Sequence, residues 1–152
     1  MVRAVVQRVS KACVRVGDEA IGETGAGLLV LVGVTHTDGP VEAERMAAKP
    51  ANLRLFDDGA GVMNQSVLDA GGAVLVVSQF TLYGDTSRGR RPSWLAAAPG
   101  PHAEPLVEAL VARLREYGLH VATGRFGAHM AVELVNDGPV TVVVEVSPPT
   151  TE

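Results

Sequence analysis

Residues 71–82, Gly-Gly-Ala-Val-Leu-Val-Val-Ser-Gln-Phe-Thr-Leu, decide how the chain is read. Two glycines open the stretch, an unbroken apolar run follows, and polar side chains then arrive at Ser78, Gln79 and Thr81. An apolar, β-branched run bounded by glycine is the pattern of a strand buried on both faces. Polar groups at the end of such a strand must find partners or face a cavity, because burying one unpaired costs about 1–3 kcal/mol. Strand alternation sets Gln79 and Thr81 on one side, Ser78 and Phe80 on the other. The stretch ends either in an ordinary polar loop or in the floor of an active site, and taken alone it leaves both open.

Working outward, Gly27–Val34 (GLLVLVGV) is a second fully apolar strand. Val2–Val9 and Ala12–Val16 alternate apolar with polar residues, which predicts half-buried strands joined as a hairpin around Ser10-Lys11. Gly22–Gly27 reads as a turn, without the lysine and spacing of a phosphate-binding loop. Asp38 is placed to cap a helix over Val41–Lys49, which Pro50 is expected to cut. Asn52–Phe56 reads as a short strand closed by the turn Asp57–Gly61. That turn has two aspartates but no glutamate at the twelfth position of a calcium loop, so turn chemistry accounts for it. Thr86–Pro101 is irregular and holds the only tryptophan, Trp94. His102–Tyr117 is a clear amphipathic helix, with Leu106, Val107, Leu110, Val111 and Leu114 on one face and Gly118 as its stop.

Two further strands, Met130–Val135 and Val140–Val146, flank Asn136-Asp137-Gly138-Pro139. Asp-Gly between apolar strands signals a plain hairpin. Pro139, however, falls where the returning strand should begin donating hydrogen bonds, which marks an edge or an irregularity. The sum is a strand-rich α+β domain with two or three helices, spanning residues 1–147 with a short tail at 148–152.

At 152 residues and 15.8 kDa the chain is large enough for one well-buried domain. A net charge of −4 argues against general nucleic-acid coating, which needs a basic face. Eleven of the thirteen basic residues are arginine, and Arg88, Arg90 and Arg91 fall together as a solvated loop or an anion contact. A single cysteine, Cys13, excludes an internal disulfide and reads as a small core residue. The opening MVRAVVQRV has no long apolar stretch, so neither a signal peptide nor a membrane span is expected, and the location expected is cytoplasmic. No G-x-S-x-G elbow surrounds Ser78, and His36, His102, His120 and His129 form no ligand pair, so a metal enzyme is not expected. No histidine is tied to Ser78 or Thr81 by spacing, so neither has an evident base.

Taken together, Ser78-Gln79-Phe80-Thr81-Leu82 and Asn136-Asp137-Gly138-Pro139-Val140-Thr141 closely resemble the D-aminoacyl-tRNA deacylases, the chirality-proofreading enzymes of translation. The likeness extends through Gln7-Arg8-Val9, the GLLVLVGV strand, Met63-Asn64, Arg90-Arg91-Pro92-Ser93 and Thr123-Gly124-Arg125-Phe126. Trp94 departs from the phenylalanine usual there, Tyr83-Gly84 from small residues, and Pro50 from a continuing helix.

The resemblance implies a curved, barrel-like mixed sheet in a homodimer, needing no cofactor, that hydrolyses the ester joining a D-amino acid to the 3′-terminal adenosine of tRNA. It implies that Gly138-Pro139 is a cis dipeptide reaching into the partner subunit's pocket. Rigid main chain placed where an L side chain would project refuses every L residue whatever its identity. Achiral glycine would pass such a filter, so glycyl-tRNA is an expected substrate as well. The backbone N–H groups of Phe80 and Thr81 are the expected oxyanion hole, with the adenosine 2′-hydroxyl assisting a water. Ser78 and Gln79 are expected to position adenine and ribose, and Met130 to line the adenosine pocket. Arg88, Arg90 and Arg91 are the expected contact for phosphates of the tRNA end. The rival readings are a general esterase with a Thr81 or Ser78 nucleophile and a non-catalytic module that binds the tRNA 3′ end.

Overall fold

The computed structural model describes residues 1–148; the remainder of the expected tail, 149–152, lies outside the described residues. Its organising element is β1 (Val2–Val16), a single strand 15 residues long. The predicted hairpin at Ser10-Lys11 does not form. Both halves of β1 carry apolar residues to the same sheet, and β8 (Ala131–Val146) runs antiparallel along the whole length of one edge. The other edge is divided: Arg3–Val9 pairs with β3 (Gly27–Gly33), and Ala12–Val16 pairs with β2 (Glu19–Thr24).

The apolar strands lie in the middle, as continuous apolar runs must. β3 is parallel to β6 (Ala73–Ser78), which in turn is parallel to β7 (Val121–Thr123). These connections cross over through α1 (Pro40–Asn52) and α3 (Gly100–Glu116). The order β2-β1-β3-β6-β7 curls until β7 meets β2: a Cβ on Gly22 would lie 2.4 Å from the Thr123 carbonyl oxygen. The result is a nearly closed, barrel-like mixed sheet. Val9, Val14, Leu29, Leu75 and Val77 fill its interior, while α1 and α3 cover the opposite face over Met46, Leu110 and Leu114. A small hairpin, β4 (Phe56–Asp57) with β5 (Met63–Gln65), and the short α2 (Val67–Ala70) complete the chain.

Several local expectations are corrected. Gly39, not Asp38, is the N-cap of α1, and the Glu42 carboxylate accepts from its N–H at 2.7 Å. The buried Asp38 carboxylate turns instead to the Thr35 N–H and hydroxyl, each at 2.8 Å. The helix runs through Pro50 to Asn52, because a proline this close to the end removes one bond of the last turn and its buried ring packs in the core. The strand expected over Asn52–Phe56 therefore shrinks to Phe56–Asp57. Cys13 is half-buried on the outer face of β1, since Ala12 and Val14 take the inward positions. The Asp57–Gly61 turn is as expected: Asp58 accepts from the Ala60 and Val62 N–H groups, and these bonds, Val62's first, hold its carboxyl below the usual range.

The plain hairpin at 136–139 is also overturned. Ala131–Val135 and Thr141–Val146 both pair with β1 in the same direction, so the chain does not reverse. Between Val9↔Asn136 and Gln7↔Thr141, β1 advances two residues and β8 five, so residues 137–140 bulge out of one continuous strand. The neck is tied by the Asn136 amide, which donates to the Arg8 carbonyl at 2.9 Å and the Val140 carbonyl at 3.0 Å.

Candidate active site

The three parallel strands β3, β6 and β7 end together, and open sheets bind ligands at the carboxyl ends of such strands. β6 ends at Ser78, and a 3-10 turn, Phe80–Tyr83, begins at once. Gly33 at the end of β3 lets the turn come close: a Cβ there would lie 3.0 Å from the Gln79 carbonyl oxygen and 3.2 Å from the Tyr83 ring. Gln79 N–H still bonds the Val32 carbonyl at 2.7 Å, and the turn's own ladder starts only with Leu82 N–H to the Gln79 carbonyl at 3.2 Å. The N–H groups of Phe80 and Thr81 come before that first bond, as the leading donors of a helical turn do.

The far end of the turn is anchored to β1. Tyr83 hydroxyl donates to the Met1 carbonyl, Arg3 donates to the Leu82 carbonyl at 3.0 Å, and the Arg3 guanidinium lies 4.7 Å from the centre of the Tyr83 ring. Burial pushes the Tyr83 phenol up to about 12, against the opposing effect of Arg3, so it remains a donor at neutral pH. Arg3 also pairs with Glu145 of β8 at 2.8 Å.

Before the turn opens a cavity of about 500 Å³. Ser78 enters it from the end of β6, Gln79 and Phe80 from the start of the turn, and Phe126, His129 and Met130 from the segment between β7 and β8. Trp94 closes one wall, edge-on to Phe80 with ring centres 5.5 Å apart. The tryptophan is accommodated by Gly84, where a Cβ would lie 2.6 Å from the indole ring. Ser78, Gln79, Phe80 and Met130 are thus brought to one cavity. Thr81 is exposed at the turn, where its hydroxyl accepts from the Gln79 amide nitrogen. Phe126 and His129 carry no role legible in the sequence, since a lone ring in a Gly-rich loop has no spacing signal, although Phe126 falls in the Thr123-Gly124-Arg125-Phe126 stretch of the resemblance. His129 makes no hydrogen bond to Ser78 or Thr81 among the described residues.

Gly138 and Pro139 do not line this cavity; they stand exposed on the β8 bulge, joined by a cis peptide. Arg8 holds the bulge from beneath. Only 9% exposed, it donates to the Asp137 carbonyl at 3.0 Å and the Leu55 carbonyl at 2.9 Å, and it faces the Asp57 and Asp137 carboxylates at 3.4 and 3.7 Å. Gly138 has φ +129°, and a Cβ there would lie 2.8 Å from the Val140 side chain and 3.1 Å from the Arg8 guanidinium. Arg88, Arg90 and Arg91 are exposed in the loop bracketed by the Asp85–Ser93 bridge. Among the described residues no group of three histidine, cysteine or acidic side chains is placed to hold a metal ion, and no helix is long and apolar enough to cross a membrane.

A nearly closed barrel with a crevice at the ends of its parallel strands defines a class, a small α+β domain built to bind a ligand there. The comparisons make it particular. The family model for D-Tyr-tRNA(Tyr) deacylase matches residues 5–145. The chain is 57% identical over 145 residues to the D-aminoacyl-tRNA deacylase of Symbiobacterium thermophilum, covering 95% of this chain and 96% of the relative. It is likewise 57% identical to the D-aminoacyl-tRNA deacylase of Thermus aquaticus, with 95% of each covered. Among solved structures, the c-Myc DNA Unwinding Element Binding Protein superposes with a TM-score of 0.89 at 40% identity, covering 96% of this chain and 99% of that one. A probable eukaryotic D-amino acid tRNA deacylase shares the fold, with a TM-score of 0.79 at 17% identity over 95% of this chain and 99% of that one. The chain belongs to the D-aminoacyl-tRNA deacylase family, hydrolases that act on an ester bond.

Proposed function

We propose that this deacylase enforces handedness through main chain. The terminal adenosine of D-aminoacyl-tRNA enters the 500 Å³ cavity, with Ser78 and Gln79 positioning adenine and ribose and Met130 lining the pocket. The N–H groups of Phe80 and Thr81 meet the oxyanion that forms at the attacked carbonyl. The adenosine 2′-hydroxyl assists the attacking water. In a homodimer, the partner's bulge supplies Gly138-Pro139 as the wedge that rejects an L side chain, and glycyl-tRNA passes because it has none. Arg88, Arg90 and Arg91 contact phosphates of the incoming end, and the work is done in the cytoplasm.

One observation carries this reading: the Thr81 hydroxyl is engaged by the Gln79 amide, a donor and not a base, at a turn whose Phe80 and Thr81 N–H groups precede its first backbone bond. An unactivated hydroxyl is a poor nucleophile, which leaves main-chain donors as the chemistry the turn offers. The exposed bulge and the outer edge of β8, unpaired among the described residues, support the dimer, since an unpaired strand edge is a template for another chain.

The test is paired hydrolysis of D-tyrosyl- and L-tyrosyl-tRNA. Release of D-tyrosine with the L ester left intact is expected, whereas equal rates refute the stereochemical account. With D-tyrosyl-tRNA ending in 2′-deoxyadenosine and acylated at its 3′-hydroxyl, hydrolysis is expected to be abolished; unchanged turnover rules out the 2′-hydroxyl.

A further inference from the structure

A second cleft, of about 340 Å³, adjoins the active-site cavity and shares Ser78, Phe126 and Met130 with it. Its far wall is α3, which presents Glu104 and Glu108 one helical turn apart; its near wall is the segment that follows β7, which presents Arg125. Opposite charges facing one another on a surface ordinarily close into ion pairs. Here no side-chain hydrogen bond or ion pair joins Glu104, Glu108 or Arg125 to any described residue, and Arg115, also in the wall, is committed to the Val121 carbonyl at 3.0 Å. The two signs are held apart across a space of the size that ligand pockets have, about 300–1,000 Å³.

We propose that this cleft is the subsite for the penultimate nucleotide of the acceptor end, a cytidine. This inference rests on the reading of the larger cavity as the adenosine site. A strand whose last nucleoside occupies one cavity must pass its next nucleotide through adjoining space, and the shared Phe126 and Met130 make the two spaces continuous. The chemistry suits cytidine monophosphate. Carboxylates on one wall accept from the exocyclic amine of cytosine, as Glu and Asp do for that base. A guanidinium on the opposite wall meets the phosphate, and Phe126 between them offers a ring for stacking, the mode by which single-stranded RNA is held. Uridine presents a carbonyl where cytidine presents the amine, so the same carboxylates repel it. The acidic wall is thereby a reader of base identity.

The experiment compares D-tyrosyl-tRNA with D-tyrosyl-adenosine, which has neither the second base nor the bridging phosphate. Wild-type protein is expected to hydrolyse both; activity on neither would mean that the deacylase reading itself had failed. Arg125→Ala is expected to raise KM for the tRNA about tenfold and leave kcat/KM for the adenosine ester within twofold, the scale of one good polar recognition contact. Replacing the penultimate cytidine by uridine is expected to weaken the wild-type enzyme by a similar factor, and the double substitution Glu104→Gln with Glu108→Gln to erase that difference. Equal losses on both substrates would assign the cleft to the terminal adenosine and overturn the proposal, as would no loss on either. Folding is read separately: these are exposed side chains, and a urea midpoint unchanged from wild type separates a lost contact from a lost fold.

Discussion

At the residue scale the sharpest question concerns Phe80, which supplies both an exposed ring and a backbone N–H. The two are separable because Phe80 is the first residue of its turn, a position where proline is tolerated. Phe80→Pro is therefore expected to remove the donor without dismantling the turn and to lower kcat on D-tyrosyl-tRNA by about 10²–10³, the loss typical of one oxyanion donor. Phe80→Ala keeps the N–H and loses only the ring against Trp94. If the two variants fall equally, the ring and not the donor matters. Thr81→Ala keeps its N–H as well, and is expected to retain activity to within about tenfold, since a hydroxyl without a base supplies little of the rate. Loss of all turnover in Thr81→Ala would restore the threonine as a nucleophile. Small activated esters hydrolysed without tRNA would point the same way.

At the scale of the element, the β8 bulge shows which parts of this fold are legible in a sequence and which are not. Alternation along β1, the apolar runs of β3 and β6 and the amphipathic face of α3 are all local, and each is legible because burial imposes a period on the residues themselves. Whether Asn136–Pro139 reverses the chain is not local. Asp-Gly suits a hairpin equally well, and only pairing with β1, more than a hundred residues away, shows that both flanking strands run on in one direction. The same limit applies to the cavity's second wall: Ser78 and Met130, linked in the sequence only through the resemblance, meet because β6 and β7 end side by side, and no spacing along the chain encodes that. Arg8 illustrates it at a single position. Alternation sets it on the face of Val2, Ala4 and Val6, and only the fold shows that it lies there beneath the bulge and binds two carbonyls. Arg8→Met is expected to leave the Leu55 and Asp137 carbonyls short of a donor and to lower stability by about 1–3 kcal/mol, measured as a shift in the urea midpoint. An unchanged midpoint would mean water replaces the guanidinium. Because the bulge would lose its support, the same variant is expected to begin cleaving L-tyrosyl-tRNA.

At the scale of the molecule, one protomer holds the cavity and the bulge apart, so the proposed function needs two copies. The long edge of β8 that is unpaired among the described residues, with Val135 and Val143 exposed along the strand, is the surface on which a partner is expected. Mixed dimers decide between a wedge supplied by the same chain and one supplied by its partner. Gly138→Ala places a methyl 2.8 Å from the Val140 side chain at φ +129°, a conformation that side chains resist, so the bulge must shift and L-rejection is expected to fail. Phe80→Pro disables the cavity of its own chain and leaves the bulge intact. When the two variants are co-expressed with different tags and the mixed dimer is isolated, the cavity of the Gly138→Ala chain faces the intact bulge of its partner. Such dimers are expected to hydrolyse D-tyrosyl-tRNA at about half the wild-type rate, one working site of two, while sparing the L ester. If each chain used its own bulge, the only working cavity would carry the damaged one, and the L ester would be cleaved. A protein that sediments as a monomer while still rejecting the L ester would refute the shared site outright.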